Sequence, residues 1–316
     1  MDSLIGEQVY HSLYKYGKIL KVYSSYMEVS FKCGDVTFDF VEDYTMKKVV
    51  ATTQRVHTKI MRLICQMLNV RTEEKAEETI KIRLEQRKIE ERNQRILMAE
   101  YENKNILLSR LEQYNFEGFI HTTEFGNFQK IIECGDLKSR VELESTHTTF
   151  IDRAMPEIIE KTSTGVKEYC RFYYYYMTPT NFKAAYSRPV TMVFDKNIIF
   201  SNKKIIFSEG NAASEYSVKT NYAKKALDFD WDSIFEREYY SQSKKYSLDK
   251  NGDDTNSRHE ITRLRNAEFL IESPVSIINI KKIYFKNWVD MIAAKQFCSD
   301  DIIAKFEYDR SRFAND

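Results

Sequence analysis

A glutamate heads a short apolar run in RLRNAEFLI, residues 263–271. Three apolar residues in a row read as a short buried strand, and a carboxylate beside one is costly unless it is paired. The residues alone leave two readings open. In one, Glu268 lies on the open face of a strand or pairs with Arg263 or Arg265. In the other, it is a catalytic carboxylate held on a rigid strand end beside a cleft. On this stretch alone the first reading is the more economical. Two further places carry groups that could do chemistry. FIHTTEF, from residue 119, sets His121 beside Thr122 on a candidate strand, and CRFYYYYMTPT, from residue 170, places four tyrosines in succession on another. Alternation on that strand would turn two of Tyr173–Tyr176 inward and two outward. The stretch DKNGDDTNSRHE, 249–260, has Asp249, Asn251, Asp253 and Glu260 at calcium-loop spacing. Asp254 stands where such a loop needs glycine, so it reads as a polar loop instead.

Other cofactor and metal signatures are missing: the chain has no GxGxxG, Walker loop, GxSxG or HExxH. Its five cysteines are scattered without a CxxC pair, which argues for a reducing cytoplasm and against structural zinc. No metal is expected. A formal net charge of +1 gives no global field to draw the chain to nucleic acid, so any such binding needs a local patch. The N-terminus lacks signal-peptide character and no membrane-spanning apolar run occurs, so the expected location is the cytoplasm and no membrane partner is expected.

The elements that must position these groups follow from periodicity. Residues 16–40 alternate apolar and polar around Ser24-Ser25 and Cys33-Gly34-Asp35, a three-stranded meander of a small SH3-like barrel. Apolar residues at helical spacing then predict an amphipathic helix over 47–68. Residues 71–104 carry nine acidic and nine basic residues, with Ile82, Ile89 and Ile96 seven apart. That is a long exposed helix with a thin seam, a spacer or a weak dimer contact. Beyond 114 the texture is globular. FIHTTEF, CRFYYYYM, VTMVF, KKIIFS, NAEFLIES and IINIKKIYF read as strands, GNFQKIIECGDL as a helix, and 211–227 and 287–306 as short helices. The fold class is α+β, with a small β-barrel at 1–46, a helical linker or coiled coil at 47–113 and a mixed-sheet domain at 114–316.

Three segments then fall together: FIHTTEFGNFQKIIECGDLKSR (119–140), CRFYYYYMTPTNFKAAY (170–186) and RLRNAEFLIESPVSIINIKKIYF (263–285). In order and spacing they resemble the DarT-type nucleic-acid ADP-ribosyltransferases. In that family an H-x-T…NLxxIL..G.L opening is followed by VPFYF-x-PRSPM and later by AEFLV with the catalytic Glu. Here the aromatic block is FYYYYMTPT, with Thr180 and Asn181 where Ser-Pro is common.

The resemblance implies an ADP-ribosyltransferase-like sheet with NAD as ADP-ribose donor. Glu268 would be the catalytic carboxylate, and His121, Thr122, Tyr173 and Tyr175 would bind NAD. Arg153, or alternatively Arg171, would be the active-site arginine. Arg258, His259 and Arg263 lie where the family carries its acceptor loop. The implied acceptor is single-stranded DNA, with RNA as the alternative. The implied setting is a toxin–antitoxin or phage-defence system with an antitoxin such as a macrodomain hydrolase. The rival from another class is a non-catalytic nucleic-acid or protein-binding module.

Overall fold

A computed structural model describes residues 4–39, 42–45, 47–151, 160, 162, 164–176, 178, 186–235 and 263–313. The chain divides into two compact units, 1–97 and 98–316. In the first unit, β1 (Gln8–His11), β2 (Lys15–Val22), β3 (Tyr26–Phe31), β4 (Gly34–Asp39) and β5 (Val49–Ala51) form a curled antiparallel sheet in the order β4-β3-β2-β1-β5. The predicted meander is β2–β4. The sequence reading gave no sign of β1, and it placed β5 inside a helix. The β-branched pair Val49-Val50 instead extends the sheet, with Val50 opposite Tyr10.

Helix α1 (Gln54–Leu68) starts after Thr53, whose hydroxyl accepts from the Val56 N–H, and stops at Asn69 in the left-handed region, φ 56°. Val56, Ile60, Met61 and Ile64 form its buried stripe. Helix α2 (Glu73–Glu112) follows, and the division between the units falls within it. Ile82, Ile89 and Ile96 are each 52% exposed, so the seven-residue repeat stays on its surface.

The second unit is built on an eight-stranded sheet. Its members are β6 (Phe119–Glu124), β8 (Tyr169–Tyr173), β9 (Pro189–Phe194), β10 (Ile205–Ser208), β11 (Lys219–Thr220), β12 (Glu268–Glu272), β14 (Ile280–Phe285) and β15 (Phe306–Tyr308). They run in the order β11-β10-β12-β8-β6-β9-β14-β15, antiparallel except for the β14–β15 pair. A separate two-stranded ladder joins β7 (Asp136–Leu137) to β13 (Val275–Ser276). Helix α3 (Phe125–Cys134) leaves the end of β6 and closes at Gly135, whose φ of 82° suits glycine. One face of the sheet carries the main core, in which Phe119, Phe172, Phe194, Phe207, Phe269 and Phe285 are fully buried. Of the two predicted C-terminal-half helices, 211–227 is helical only at Ala223–Ala226, while 287–306 holds α4 (Trp288–Ala294), a turn at Asp300–Ile303 and the start of β15.

Candidate active site

The RLRNA segment is a turn. Asn266 N–H donates to the Arg263 carbonyl and Ala267 N–H to that of Leu264, which delivers Glu268 as the first residue of β12. Glu268 is fully buried. Its register fixes its neighbours: Glu268 stands opposite Tyr173 on β8 and Ser208 on β10, and Leu270 stands opposite Arg171. The diagonal step brings the Arg171 guanidinium over the carboxylate. Nη2 donates to Oε1 at 2.8 Å and Oε2 at 2.6 Å, and also to Asn211 Oδ1 at 2.8 Å. The backbone N–H of Ala212 donates to Oε2 at 2.6 Å. Asn211 is in turn fixed by the Ala213 N–H, 2.9 Å, and Lys219 Nζ reaches the Ala212 and Ser214 carbonyls at 3.1 and 3.0 Å. A loop from 209 to 214 thus forms a cradle around the carboxylate. Gly210 permits it, because a Cβ there would lie 2.6 Å from Ser217 Oγ and 3.0 Å from the Arg263 carbonyl oxygen.

The partner of Glu268 is therefore Arg171, and neither Arg263 nor Arg265 is placed on it. Burial works against the charge of Arg171, but the Glu268 carboxylate and Tyr173 outweigh it and hold its pKa above the ordinary arginine value. Arg171 keeps about a third of its side chain exposed, against none for Glu268.

Alternation decides which other residues share the face of Glu268. Tyr173 does, as does Ile120 opposite it on β6, and hence Thr122. Thr122 Oγ1 lies 2.9 Å from Thr191 Oγ1 on β9. His121 points to the other face, edge-on to Phe172 at 6.0 Å. β6 and β8 register only at Ile120↔Tyr173. Beyond that point the His121 Nδ1 lies 3.0 Å from the Arg171 carbonyl. A carbonyl only accepts, so Nδ1 carries the proton and Nε2 presents its lone pair. Burial lowers the His121 pKa, more than the carbonyl contact raises it.

β8 ends at Tyr173, so the tyrosine run leaves the sheet. Tyr174 and Tyr176 are buried, and Tyr173 and Tyr175 are half-buried. Tyr176 donates to Glu117 Oε2 at 2.9 Å and Tyr284 donates to the same oxygen at 3.0 Å. Arg312 lies 4.5 Å above the Tyr176 ring and 2.8 Å from Glu117 Oε1. Burial pushes Glu117 upward, yet Tyr176, Arg312 and Tyr284 together hold it below the ordinary carboxylate range.

Arg263 pairs with Glu209 at 3.7 Å, beside the 209–214 cradle. Arg153, Arg258, His259 and the 249–260 loop lie outside the described residues. Among the described residues no group of three or more His, Cys, Asp or Glu side chains converges as a metal site would. Nor is any helix among them long and apolar enough to cross a membrane. Sequence reasoning missed Asn211 and the Ala212 N–H. A side-chain amide in a loop and a backbone donor carry no pattern that marks them.

The geometry invites comparison with known proteins. Comparison with curated protein sequences returns no match. Among solved structures the chain is similar to Thermus sp. 2.9 DarT in complex with NAD+, at 13% identity over 62% of this chain and 96% of that chain, TM-score 0.45. It is similar to the same protein in complex with ADP-ribosylated ssDNA, at 14% identity over 62% and 95%, TM-score 0.48. Thermosipho africanus DarTG in complex with ADP-ribose follows at 16% identity over 63% of this chain and 51% of that chain, TM-score 0.46. The family model described as "ssDNA thymidine ADP-ribosyltransferase, DarT" matches residues 120–308. That stretch is more than half of the chain and takes in β6, β8, β10 and β12 together with the carboxylate they surround. The chain belongs to the DarT family of NAD-dependent ADP-ribosyltransferases.

Proposed function

We propose that the protein transfers ADP-ribose from NAD+ to a thymidine base in single-stranded DNA, and that it acts in the cytoplasm as a toxin restrained by an antitoxin able to remove the mark. The observation that carries the reading is Glu268, a buried carboxylate fixed at a strand head by a guanidinium and a backbone N–H, within a chain of this family. Breaking the bond between nicotinamide and ribose leaves positive charge on the sugar, and nicotinamide departs from a cation without needing a proton. A carboxylate oriented before the reaction stabilises that charge and accepts from the ribose 2′-hydroxyl.

The other residues take supporting parts in this reading. Arg171 holds Glu268 in place. Nε2 of His121 accepts from a ribose hydroxyl where β6 and β8 part beyond Ile120, and the Thr122 hydroxyl donates from the face of Glu268. Tyr173 and Tyr175 offer ring faces to the nicotinamide. Arg153 meets the diphosphate, while Arg258, His259 and Arg263 meet the acceptor strand, whose bases stack and whose phosphates need cations.

The test is transfer from labelled NAD+ to single-stranded oligonucleotides with and without thymidine, to the matching duplex and to RNA. Label on the thymidine-containing single strand alone, lost in Glu268→Ala, is the expected result. Equal labelling by Glu268→Ala, or label only on RNA, would overturn the assignment of catalyst or acceptor respectively.

A further inference from the structure

Ser208 closes β10 directly opposite Glu268. It is fully buried, and its hydroxyl has no hydrogen-bond partner. A buried hydroxyl without a partner costs free energy, and such groups are uncommon enough in folded proteins to need an account. Directly opposed residues of an antiparallel pair share a face, with Cβ atoms about 4.5–5.5 Å apart. The Ser208 hydroxyl therefore lies within one side-chain rotation of the Glu268 carboxylate. In the structure most of that carboxylate's acceptor capacity is in use. Both oxygens accept from one nitrogen of Arg171, and Oε2 also accepts from the Ala212 N–H.

We propose that Ser208 is a positioning residue for Glu268, a reserve donor that engages the carboxylate when substrate draws it away from Arg171. The proposal rests on the ADP-ribosyl transfer reading above. A carboxylate accepts about four hydrogen bonds and three are in use here, so a ribose hydroxyl that enters at Oε1 competes for position with the Arg171 guanidinium that spans both oxygens. Arg171, a third exposed, is the partner that can move toward solvent or the diphosphate. The Ala212 N–H is fixed in its loop and stays. A hydroxyl from β10 then supplies a second fixed donor from a rigid strand, which keeps the carboxylate aimed without any loop having to close. Ser208 stands opposite Glu268 in register and acts through it, not on the substrate. Its cost in the resting fold and its benefit during turnover fall in different states.

That separation makes the proposal testable with Ser208→Ala. Deleting an unpartnered buried hydroxyl removes a desolvation cost, so the thermal midpoint should stay the same or rise. Turnover should nonetheless fall about 100-fold, the lower end of the loss for one preorganised donor, with KM for NAD+ within about twofold. Ser208→Cys, close in volume but a weak donor, should behave like alanine. An alanine variant with wild-type turnover, or one whose KM for NAD+ rises as much as its turnover falls, would overturn the proposal while leaving the transfer reading intact. Wild-type protein that labels no nucleic acid would remove the transfer reading, and this inference with it.

Discussion

At the scale of single residues, the site turns on an asymmetry between two charges. Glu268 is fully buried and Arg171 is not. Removing the arginine strands a carboxylate with little beyond the Ala212 N–H, whereas removing the glutamate leaves a guanidinium that water can reach. Arg171→Ala should therefore cost about 3–5 kcal/mol, and Glu268→Ala clearly less. Denaturant melts of both variants, run side by side, check the order, and equal losses would refute it. His121 supplies a pH signature. Burial lowers its folded pKa below the ordinary histidine value of 6.5, so the neutral form contributes stability fully above pH 6.5. As pH falls below that value the unfolded chain binds a proton that the folded chain refuses, and stability drops by at most about 1.4 kcal/mol per pH unit until the folded pKa is reached. His121→Asn keeps a donor for the Arg171 carbonyl and cannot titrate there, so its stability between pH 5 and 7 should be flatter than wild type. The depressed carboxylate Glu117 loses its contribution only at lower pH, below the ordinary glutamate value of 4.5, and does not confuse the measurement.

At the scale of elements, the strands of the catalytic sheet were legible and their alignment was not. NAEFLIES and CRFYYYYM announce themselves by apolar runs, but nothing in either says that Leu270 stands opposite Arg171. Register is a long-range property, and the pair it creates is separated by 97 positions. Local inference therefore looked to Arg263 and Arg265, which are near in sequence and turned elsewhere. The four tyrosines misled in a milder way. They alternate in burial, yet β8 stops at Tyr173 and the rest leave the sheet. The failed helix at 211–227 belongs here too, since its first residues are spent on the Glu268 cradle. One element rests on a single glycine. Gly118 has φ +152° and leads into β6, and a Cβ there would lie 2.2 Å from the Phe194 carbonyl oxygen. Gly118→Ala should destabilise by well over about 1 kcal/mol, displacing β6 from β9 and carrying His121 and Thr122 with it. A variant as stable as wild type would show that β6 does not depend on that close approach.

At the scale of the whole molecule, the two units have cores with no residue in common. Val9, Ile19, Met27, Val29 and Ile60 belong to one, and the phenylalanine-rich face of the eight-stranded sheet belongs to the other. Calorimetry should resolve two transitions. Met27→Ala, a buried deletion worth about 2–5 kcal/mol, should lower one of them, and added NAD+ should raise only the other. A single transition moved by both would contradict this. The family match begins at residue 120 and so says nothing of the first unit. That unit was legible as a β meander followed by a charged helix because its alternation and heptad patterns are local. Its function was not, because its strands bring together no reactive set.

The residues around Arg312 do no chemistry, yet the tyrosine run beside the site leans on them. Arg312 sits between the rings of Tyr176 and Tyr284 and neutralises the Glu117 carboxylate that both hydroxyls share. Replacing that arginine with alanine would leave a half-buried anion between two phenols and loosen Tyr176. The support of the tyrosine run would then fail with every residue around Glu268 still present. The firmness of the aromatic wall beside the site thus depends on one electrostatic clasp between Arg312, Glu117 and two phenols.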